Sequence, residues 1–434
     1  MDKGFQAGTA ADQEMGRGHK LFASQYILPF VLVTFLFFLW GIPNNLNDVL
    51  IRQFMKSFEI TRFRAGLIQS AFYMGYFLLS MPAAFLMRKY GYKAGLVTGL
   101  VLYGVGALAF WPAALVGRYG VFLCALFVIA SGLAFLETGA NPFIAQLGDP
   151  ATAARRLNFS QAFNPFGAIT GALAGTVFIF SGIELNEAQV AAMRVAGEYD
   201  AYLKHEIMRV VIPYIVLGCI ALAWAVLMMR TKFPAIGGEG SEGEDKGSFR
   251  TLFRHRHFIL AVIAQFFYVG AQVGTWSYFI QYVQDYTRQP EKFAGYLLSG
   301  TLVAFGVGRF SSTYLMQFVQ PNVLMGAYAV VNMALAGVAV ILPGWVGLWS
   351  VFLTSFFMSL MFPTIFALGL RDLGPNTKLG GSLIVMGIVG GAVFTPIMGL
   401  IAARSMALAM LVPFACYAFI AHFGFFGSRV RAGG

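Results

Sequence analysis

Two carboxylic acids, Asp48 and Glu137, stand inside apolar stretches of this 434-residue sequence. Nearly all the other acidic residues fall in the tails, in the connectors or at the ends of apolar stretches. A carboxylate at membrane depth is costly unless it is paired, wetted or protonated. In a low-dielectric setting a carboxylic acid also keeps its proton more readily than in water. The two acids therefore predict proton exchange in a water-accessible cavity.

Each acid has an alternative interpretation. Asp48 would simply be solvated if its helix ended at the lipid headgroups. Glu137 would be neutralised if it lay beside Arg155 or Arg156 at a helix end. Both alternatives stay open from the residues alone.

Amide side chains follow the two acids at helical spacing. Asn44 and Asn45 precede Asp48 on one side of a helix, and Asn141 follows Glu137 by four residues. A further amide stripe has a spacing of three residues: Asn158, Gln161 and Asn164. Amides donate and accept hydrogen bonds, which suits the hydroxyl groups of a sugar. They also join helices within membranes, so the stripe by itself supports either function.

A mixed stripe of amides and aromatic rings occurs later in the chain, at Gln265, Tyr268, Gln272 and Trp276. This pattern is typical of carbohydrate sites, where amides bind hydroxyls and ring faces contact C–H groups. The alternative is an aromatic belt at the membrane interface. We expect the belt for the tyrosines that follow, namely Tyr278, Tyr282 and Tyr286.

The composition indicates the elements that must position these residues. The chain is 58% hydrophobic and only 11% charged, which a soluble protein of this length cannot accommodate. Apolar runs of spanning length recur along the whole chain, so we predict an all-α polytopic membrane protein. The twelve expected spans are 26–50, 65–88, 94–116, 120–147, 158–182, 207–230, 257–284, 293–317, 322–343, 346–371, 380–402 and 405–427.

A Gly-rich acidic connector divides the chain into two sets of six spans. Faint similarities between the two sets predict two six-helix bundles that rock about a site at the membrane midplane. The expected divisions are a tail at 1–25, a first bundle at 26–230, a linker at 231–256, a second bundle at 257–427 and a tail at 428–434.

The net charge of +11 does not indicate nucleic acid, because the cations are concentrated in the connectors on one side of the predicted membrane. By the positive-inside rule that side is cytoplasmic, and it includes both termini. Cys124, Cys219 and Cys416 lie in apolar runs, so neither disulfides nor metal ligation is expected. The sequence contains no phosphate-binding Walker loop and no nucleophile–base set, so we expect neither an enzyme nor a bound cofactor.

With these residues in view, the chain resembles the L-fucose–proton symporter family of the major facilitator superfamily. The stretches that carry the resemblance run in order through nearly the whole chain: 44–48, 69–76, 136–143, 158–164, 264–272 and 362–369. One departure is the turn at 87–93, which keeps its cations but lacks the Asp that is usual in the superfamily.

The resemblance implies a twelve-helix monosaccharide–proton symporter for sugars of the L-fucose, glucose or galactose type, working by alternating access. Asp48 and Glu137 would couple the proton, and family cavity residues match Asn45, Asn141, Gln161, Asn164 and Gln272. Two other functions remain: a Na⁺-coupled sugar symporter, and a membrane sensor that binds sugar without moving it. We expect a monomer in the lipid bilayer of the bacterial inner membrane.

Overall fold

The structure, a computed structural model, describes residues 26–147, 156, 159–234, 252–316, 318–373 and 377–428. Within these residues twelve helices are long and apolar enough to cross a membrane, which confirms the predicted all-α membrane protein. They are α1 Ile27–Ser57, α2 Arg62–Met87, α3 Lys89–Val116, α4 Tyr119–Ile144, α5 Phe159–Ile179, α6 Tyr199–Arg230, α7 Arg256–Thr287, α8 Glu291–Leu315, α9 Pro321–Ile341, α10 Trp345–Gly369, α11 Leu383–Ala402 and α12 Met406–Gly427.

Two helices are longer than the sequence predicted. Helix α1 ends at Ser57 rather than near residue 50, and α6 begins at Tyr199 rather than near 207. The added turns carry Lys56 and Glu206, whose charged groups lie 3.1 Å apart. Because these charges pair within the protein, the helices continue past the point at which an apolar pattern ends. Asp48 consequently lies inside a helix and is only 3% exposed, so the alternative of a solvated helix end is wrong.

The predicted aromatic belt is also wrong for two of its tyrosines. Tyr278 and Tyr282 are fully buried, and their hydroxyls donate to the backbone carbonyls of Arg62 and Ala339. Tyr286 is half-buried, and its hydroxyl accepts a hydrogen bond from the backbone N–H of Ala407. These rings therefore join helices rather than face lipid, because each hydroxyl finds a partner inside the protein.

Helices α1 and α5 approach each other closely along a stripe of small residues. A Cβ added to Gly167 or Gly171 would overlap the carbonyl oxygen of Phe38 or Ile42 on the facing helix. Gly41 on α1 makes the same kind of contact from the other helix, because a Cβ added there would lie 2.5 Å from the carbonyl oxygen of Asn164 on α5. Small residues allow membrane helices to approach in this way. The contact places the polar face of α1 against the polar stripe of α5.

The two sets of six helices meet most closely at one side of the molecule. We call it the connector side: the side on which α1 ends and α8 begins. There the guanidinium of Arg62 on α2 donates to the carbonyl of Ala402 on α11 at 2.7 Å. The opposite side, where α1 begins and α12 ends, is called the terminus side. Helix α5 begins on the terminus side, and its first turn holds the exposed residue Gln161.

Candidate functional site

A central cavity of about 220 Å³ lies between the two sets of helices. Pockets for drug-sized ligands occupy roughly 300–1,000 Å³, so this cavity suits a smaller molecule. Nine of the ten predicted site residues line it. They are Asn45, Asp48, Glu137, Asn141, Gln161, Asn164, Tyr268, Gln272 and Trp276.

Asp48 lies at the connector side of the cavity and is tied to both sets of helices. One carboxylate oxygen, Oδ1, accepts hydrogen bonds from Gln69 Nε2 on α2 and Ser277 Oγ on α7, each at 2.9 Å. Gln69 Nε2 also donates to Ser277 Oγ at 2.9 Å. Asp48 thus contacts the cavity while its oxygen is held by a closed triangle of hydrogen bonds. Gln69 lies in one of the stretches that carry the family resemblance, but neither Gln69 nor Ser277 was predicted as a site residue.

Glu137 on α4 lines the same cavity and is half-buried. Within the described parts of the chain, no side chain donates a hydrogen bond to its carboxylate. Arg156 is buried and donates from Nε to the backbone carbonyl of Ile144, two turns further along α4. Arg155 lies outside the described residues. Glu137 is therefore a carboxylic acid whose accessible face is the cavity.

The amides of the first six helices surround the acids. Gln161 Nε2 donates to Asn141 Oδ1 at 3.2 Å, so a residue of α5 meets one of α4. Asn164 Nδ2 donates to the carbonyl of Phe37, and Asn45 Nδ2 to that of Gly41, each at 3.3 Å. Asn45 Oδ1 is buried and has no partner within the described residues. Asn158, the first residue of the predicted stripe, lies outside the described residues.

Helix α7 supplies the aromatic wall of the cavity. The indole N–H of Trp276 donates to Ser355 Oγ on α10 at 3.0 Å. Its ring meets Phe305 of α8 edge to face, with centroids 5.2 Å apart. Gln272 lies one turn before Trp276 and is half-buried. The tryptophan is thus held rigidly at the cavity wall, with an amide beside it.

Gln265 does not line the cavity, although the sequence placed it on the same stripe. It is fully buried, and within the described residues neither of its amide atoms has a hydrogen-bond partner. Its side chain packs where α7 meets α11: a Cβ added at Gly387 would lie 3.2 Å from Cβ of Gln265. A spacing of seven residues to Gln272 puts both on one helix face, but Gln265 lies two turns further toward the terminus side.

Arg309, which was not among the predicted site residues, lines the cavity from α8. Its Nε and Nη2 both donate to the carbonyl of Ser359, each at 3.3 Å. Its guanidinium also lies 4.9 Å from the ring centre of Phe305. No carboxylate pairs with Arg309 among the described residues. A cation inside an apolar run was the signal that could have identified it.

The site combines two acids and one cation with amides and a fixed aromatic ring, in a cavity between two sets of six membrane helices. Acids can exchange protons with water, while amides and rings can grip a small polar molecule. Within the described residues no group of three or more potential metal ligands occurs. Fold and site together define a membrane carrier rather than an enzyme.

Comparisons with known proteins place this carrier in a family. The sequence model of the Major Facilitator Superfamily matches residues 30–378. The chain is 44% identical over 431 residues to the L-fucose-proton symporter of Escherichia coli K12, covering 98% of this chain and 97% of that protein. It is 34% identical over 404 residues to a glucose/galactose transporter of Brucella abortus, covering 92% of this chain and 93% of that protein.

Solved structures of transporters match the same chain. The chain matches the crystal structure of a Major Facilitator Superfamily transporter, FucP, in the outward conformation with a TM-score of 0.70 at 44% identity, covering 94% of this chain and 100% of that one. An inward-facing bacterial homologue of the lysosomal transporter Spinster matches with a TM-score of 0.73 at 13% identity, covering 94% of this chain and 97% of that one, and shows the shared fold. The chain belongs to the Major Facilitator Superfamily, in the family of the L-fucose–proton symporters.

Proposed function

We propose that this protein takes up a monosaccharide together with a proton by alternating access, with Glu137 and Asp48 coupling the proton. The observation that carries the proposal is that both acids face the one cavity that also holds the amides and Trp276. A protein that only let sugar diffuse would have no need of two costly acids at membrane depth.

The proposal that the substrate is a sugar rests on the chemistry of the cavity wall. Asn141, Gln161, Asn164 and Gln272 offer donors and acceptors, and Trp276 offers a ring face. Curated relatives are an L-fucose-proton symporter and a glucose/galactose transporter, so we infer a hexose or deoxyhexose substrate. Gln265 remains a proposed binding residue only if it moves toward the cavity when the helices rearrange.

The two acids have different surroundings, which supports different roles. Glu137 has a free face on the cavity, where a sugar would also lie, so we assign it the proton that moves with substrate. Asp48 is held by Gln69 and Ser277 at the connector side, so we assign it to proton exchange linked to closure of that side. Arg309 also lines the cavity, and we infer that its positive charge favours an ionised acid there.

The orientation follows from the distribution of cations. We infer that the terminus side is cytoplasmic, because the connectors on that side carry more Lys and Arg. The bundles are then residues 26–230 and 257–427. The cytoplasmic segments would be the tail at 1–25, the linker at 231–256 and the tail at 428–434. In this orientation the closed connector side faces outward. We propose a monomer in the bacterial inner membrane.

Purified protein in sealed vesicles with a pH-sensitive dye inside tests the proposal. L-Fucose, D-glucose, D-galactose and N-acetylglucosamine are added one at a time, each with and without Na⁺. We expect one of them to acidify the vesicle interior in the absence of Na⁺. The matched control is the Glu137→Gln variant, which we expect to bind and exchange the same sugar without acidification.

Two results would contradict the proposal. Sugar uptake that requires Na⁺ and leaves the internal pH unchanged would make sodium the coupling ion. Sugar binding with no transport under any gradient would favour the non-transporting sensor.

A further inference from the structure

Among the residues that the structure describes, Ser277 is the one side chain from the second set of helices that hydrogen-bonds to Asp48. The other donor, Gln69, lies on α2, in the same set of helices as Asp48 itself. All three side chains are buried, with exposures of 3% for Asp48 and 0% for Gln69 and Ser277. The triangle therefore spans the interface that must separate when the connector side opens.

The donor and acceptor capacities of the three side chains fix the direction of each hydrogen bond in the triangle. Gln69 Nε2 has two hydrogens, one for Asp48 Oδ1 and one for Ser277 Oγ. Ser277 accepts the latter and gives its single hydrogen to Asp48 Oδ1. Oδ1 thus accepts two hydrogen bonds, and both would be stronger to a carboxylate than to a carboxylic acid. Donors to the charged form favour that form over the acid.

Separation of the two sets of helices would remove only one of the two donors. Gln69 would move with Asp48, whereas Ser277 would move away with α7. Opening would also admit water from the connector side to Asp48, while the hydrogen bond from Gln69 would remain. The hydroxyl of Ser277 is therefore the side-chain donor to Asp48 that would be lost when the connector side opens.

We propose that Ser277 is a positioning residue for proton coupling, which rests on the proposed function above. With the connector side closed, its hydroxyl donates to Asp48 and stabilises the carboxylate, so the proton leaves to water in the cavity on the terminus side. With the connector side open, Ser277 is withdrawn, and Asp48 takes up a proton from water on that side. The proton enters and leaves as H⁺, and no other bond changes.

Titratable groups other than Asp48 lie on several of the helices that surround it. Helices α5 and α11 carry none within their bounds. Those that line the cavity are Tyr73 and Tyr76 on α2, Glu137 on α4, Tyr268 on α7 and Arg309 on α8. Around the rest of α1, Tyr103 on α3 donates to the carbonyl of Leu39, Tyr214 on α6 donates to Asn47 Oδ1, and Arg52 pairs with Glu291 on α8. Among the described residues none of these hydrogen-bonds to Asp48, so Ser277 is the group to change.

A matched pair of serine variants tests the inference. Ser277→Ala removes the hydroxyl that reaches Asp48. Ser70→Ala removes a hydroxyl that crosses the same interface, from α2 to the carbonyl of Ala392 on α11 at 2.6 Å, without touching Asp48. Any effect of merely loosening the interface should appear in both variants. Ser277→Thr, which keeps the hydroxyl, serves as the rescue.

The transport readout is concentrative uptake into vesicles as a function of internal pH, with whichever of L-fucose, D-glucose or D-galactose the wild type accumulates. In Ser277→Ala we expect the half-maximal point to move up by about one pH unit, since proton release then needs a more alkaline interior. We expect sugar counterflow, which needs no proton release, to stay within about twofold. Ser70→Ala and Ser277→Thr should match the wild type. An unmoved profile in Ser277→Ala, or an equal shift in Ser70→Ala, overturns the inference.

An infrared titration separates this inference from the proposed function. The carbonyl stretch of a protonated carboxylic acid is followed against pH in purified protein, and the Asp48→Asn spectrum is subtracted to isolate Asp48. We expect the Asp48 band to persist to higher pH in Ser277→Ala than in the wild type or Ser70→Ala. If the wild type moves no proton in vesicles, the proposed function is contradicted. The infrared band still tests the role of Ser277 in that case. Identical bands in all three proteins overturn it.

Discussion

The ammonium group of Lys56 on α1 lies 3.3 Å from the carboxylate of Glu291 in the first turn of α8. It also lies 3.1 Å from the carboxylate of Glu206 on α6. Glu291 is fully buried, and Lys56 is largely so, with 12% of its side chain exposed. This three-charge cluster joins the two sets of helices on the connector side, close to the end of the cavity that Asp48 closes.

Replacement of Lys56 by Met should weaken closure of the connector side. The variant leaves Glu206 without its cation and leaves Glu291 with only Arg52, whose Nε is 4.0 Å from its carboxylate, and breaking a buried ion pair costs about 3–5 kcal/mol. We expect a lower Tm in detergent. We also expect faster labelling of a cysteine placed at Gln281, a buried residue of that interface, in a protein freed of its native cysteines.

The control for this prediction is Arg194→Met. Arg194 forms an ion pair with Glu59 at 2.6 Å, but both side chains are about half exposed and both lie in the first half of the chain. Exposed pairs contribute about 0–1 kcal/mol, so its Tm and labelling rate should be close to those of the parent. Equal labelling in both variants would show that Lys56 does not hold the interface.

Glu137→Gln should abolish accumulation of sugar against a gradient while sugar exchange continues. The amide keeps the shape of the side chain but exchanges no proton with the cavity. Counterflow and pH-gradient-driven uptake, measured in the same vesicles, separate the two activities. The exposed acid Glu198, in the loop before α6, provides the control Glu198→Gln, which should retain both. Undiminished concentrative uptake in Glu137→Gln would rule out its proton role.

Trp276 should contribute to the apparent affinity for sugar more than to the maximal rate. An aromatic contact is worth about 0.5–1.5 kcal/mol, so Trp276→Ala should raise the KM for uptake by up to about tenfold. Trp276→Phe keeps a ring but loses the hydrogen bond to Ser355, so a smaller rise is expected. Trp111→Ala, at a position 48% exposed on α3, is the control and should leave the KM unchanged. A loss of maximal rate with constant KM would contradict a role in binding.

Gly171→Ala should destabilise the contact between α1 and α5. The added methyl group would overlap the carbonyl oxygen of Ile42, and overpacking of this kind costs about 1–3 kcal/mol. A fall in Tm and in the yield of folded protein is the expected result. Gly306→Ala on α8, where nothing lies within 4 Å of the new Cβ, should be neutral or slightly stabilising. Equal stability of the two variants would contradict the close approach.

Arg309→Gln should slow sugar transport by about tenfold or more, because the cavity would then hold two acids and no cation. Arg309→Lys should restore only part of the rate, since an ammonium group lacks the fork of two N–H donors with which the guanidinium holds the carbonyl oxygen of Ser359. Initial uptake rates at saturating sugar provide the measurement. Arg404→Gln, at an exposed position after α11, is the control and should transport normally. Full activity of Arg309→Gln would show that the arginine has no role in transport.

Much of the fold and site followed from local patterns. Apolar length and composition determine a membrane-spanning helix because the bilayer requires every backbone group to be bonded within the segment. The spacing of Asp48 after Asn45, and of Asn141 after Glu137, determined which side of each helix is polar. Nine of the ten predicted site residues line the cavity for this reason.

Periodicity along one helix does not determine how far along that helix a cavity extends. Gln265 lies on the same face of α7 as the cavity residues, but too far toward the terminus side to reach the cavity. Only the packing of α11 against α7 decided that it is buried. Tyr278 and Tyr282 look like interface residues in the sequence, and only the carbonyls of other helices decided that they lie inside.

The sequence by itself determined that this is a twelve-helix membrane protein with two acids in apolar surroundings and amides beside them. Tertiary structure alone decided which residues hold those acids. Ser277 is 229 positions from Asp48, and Glu291 is 235 positions from Lys56. Helical spacing describes neighbours within a turn or two, whereas these partners meet only because the two sets of helices close against each other on the connector side.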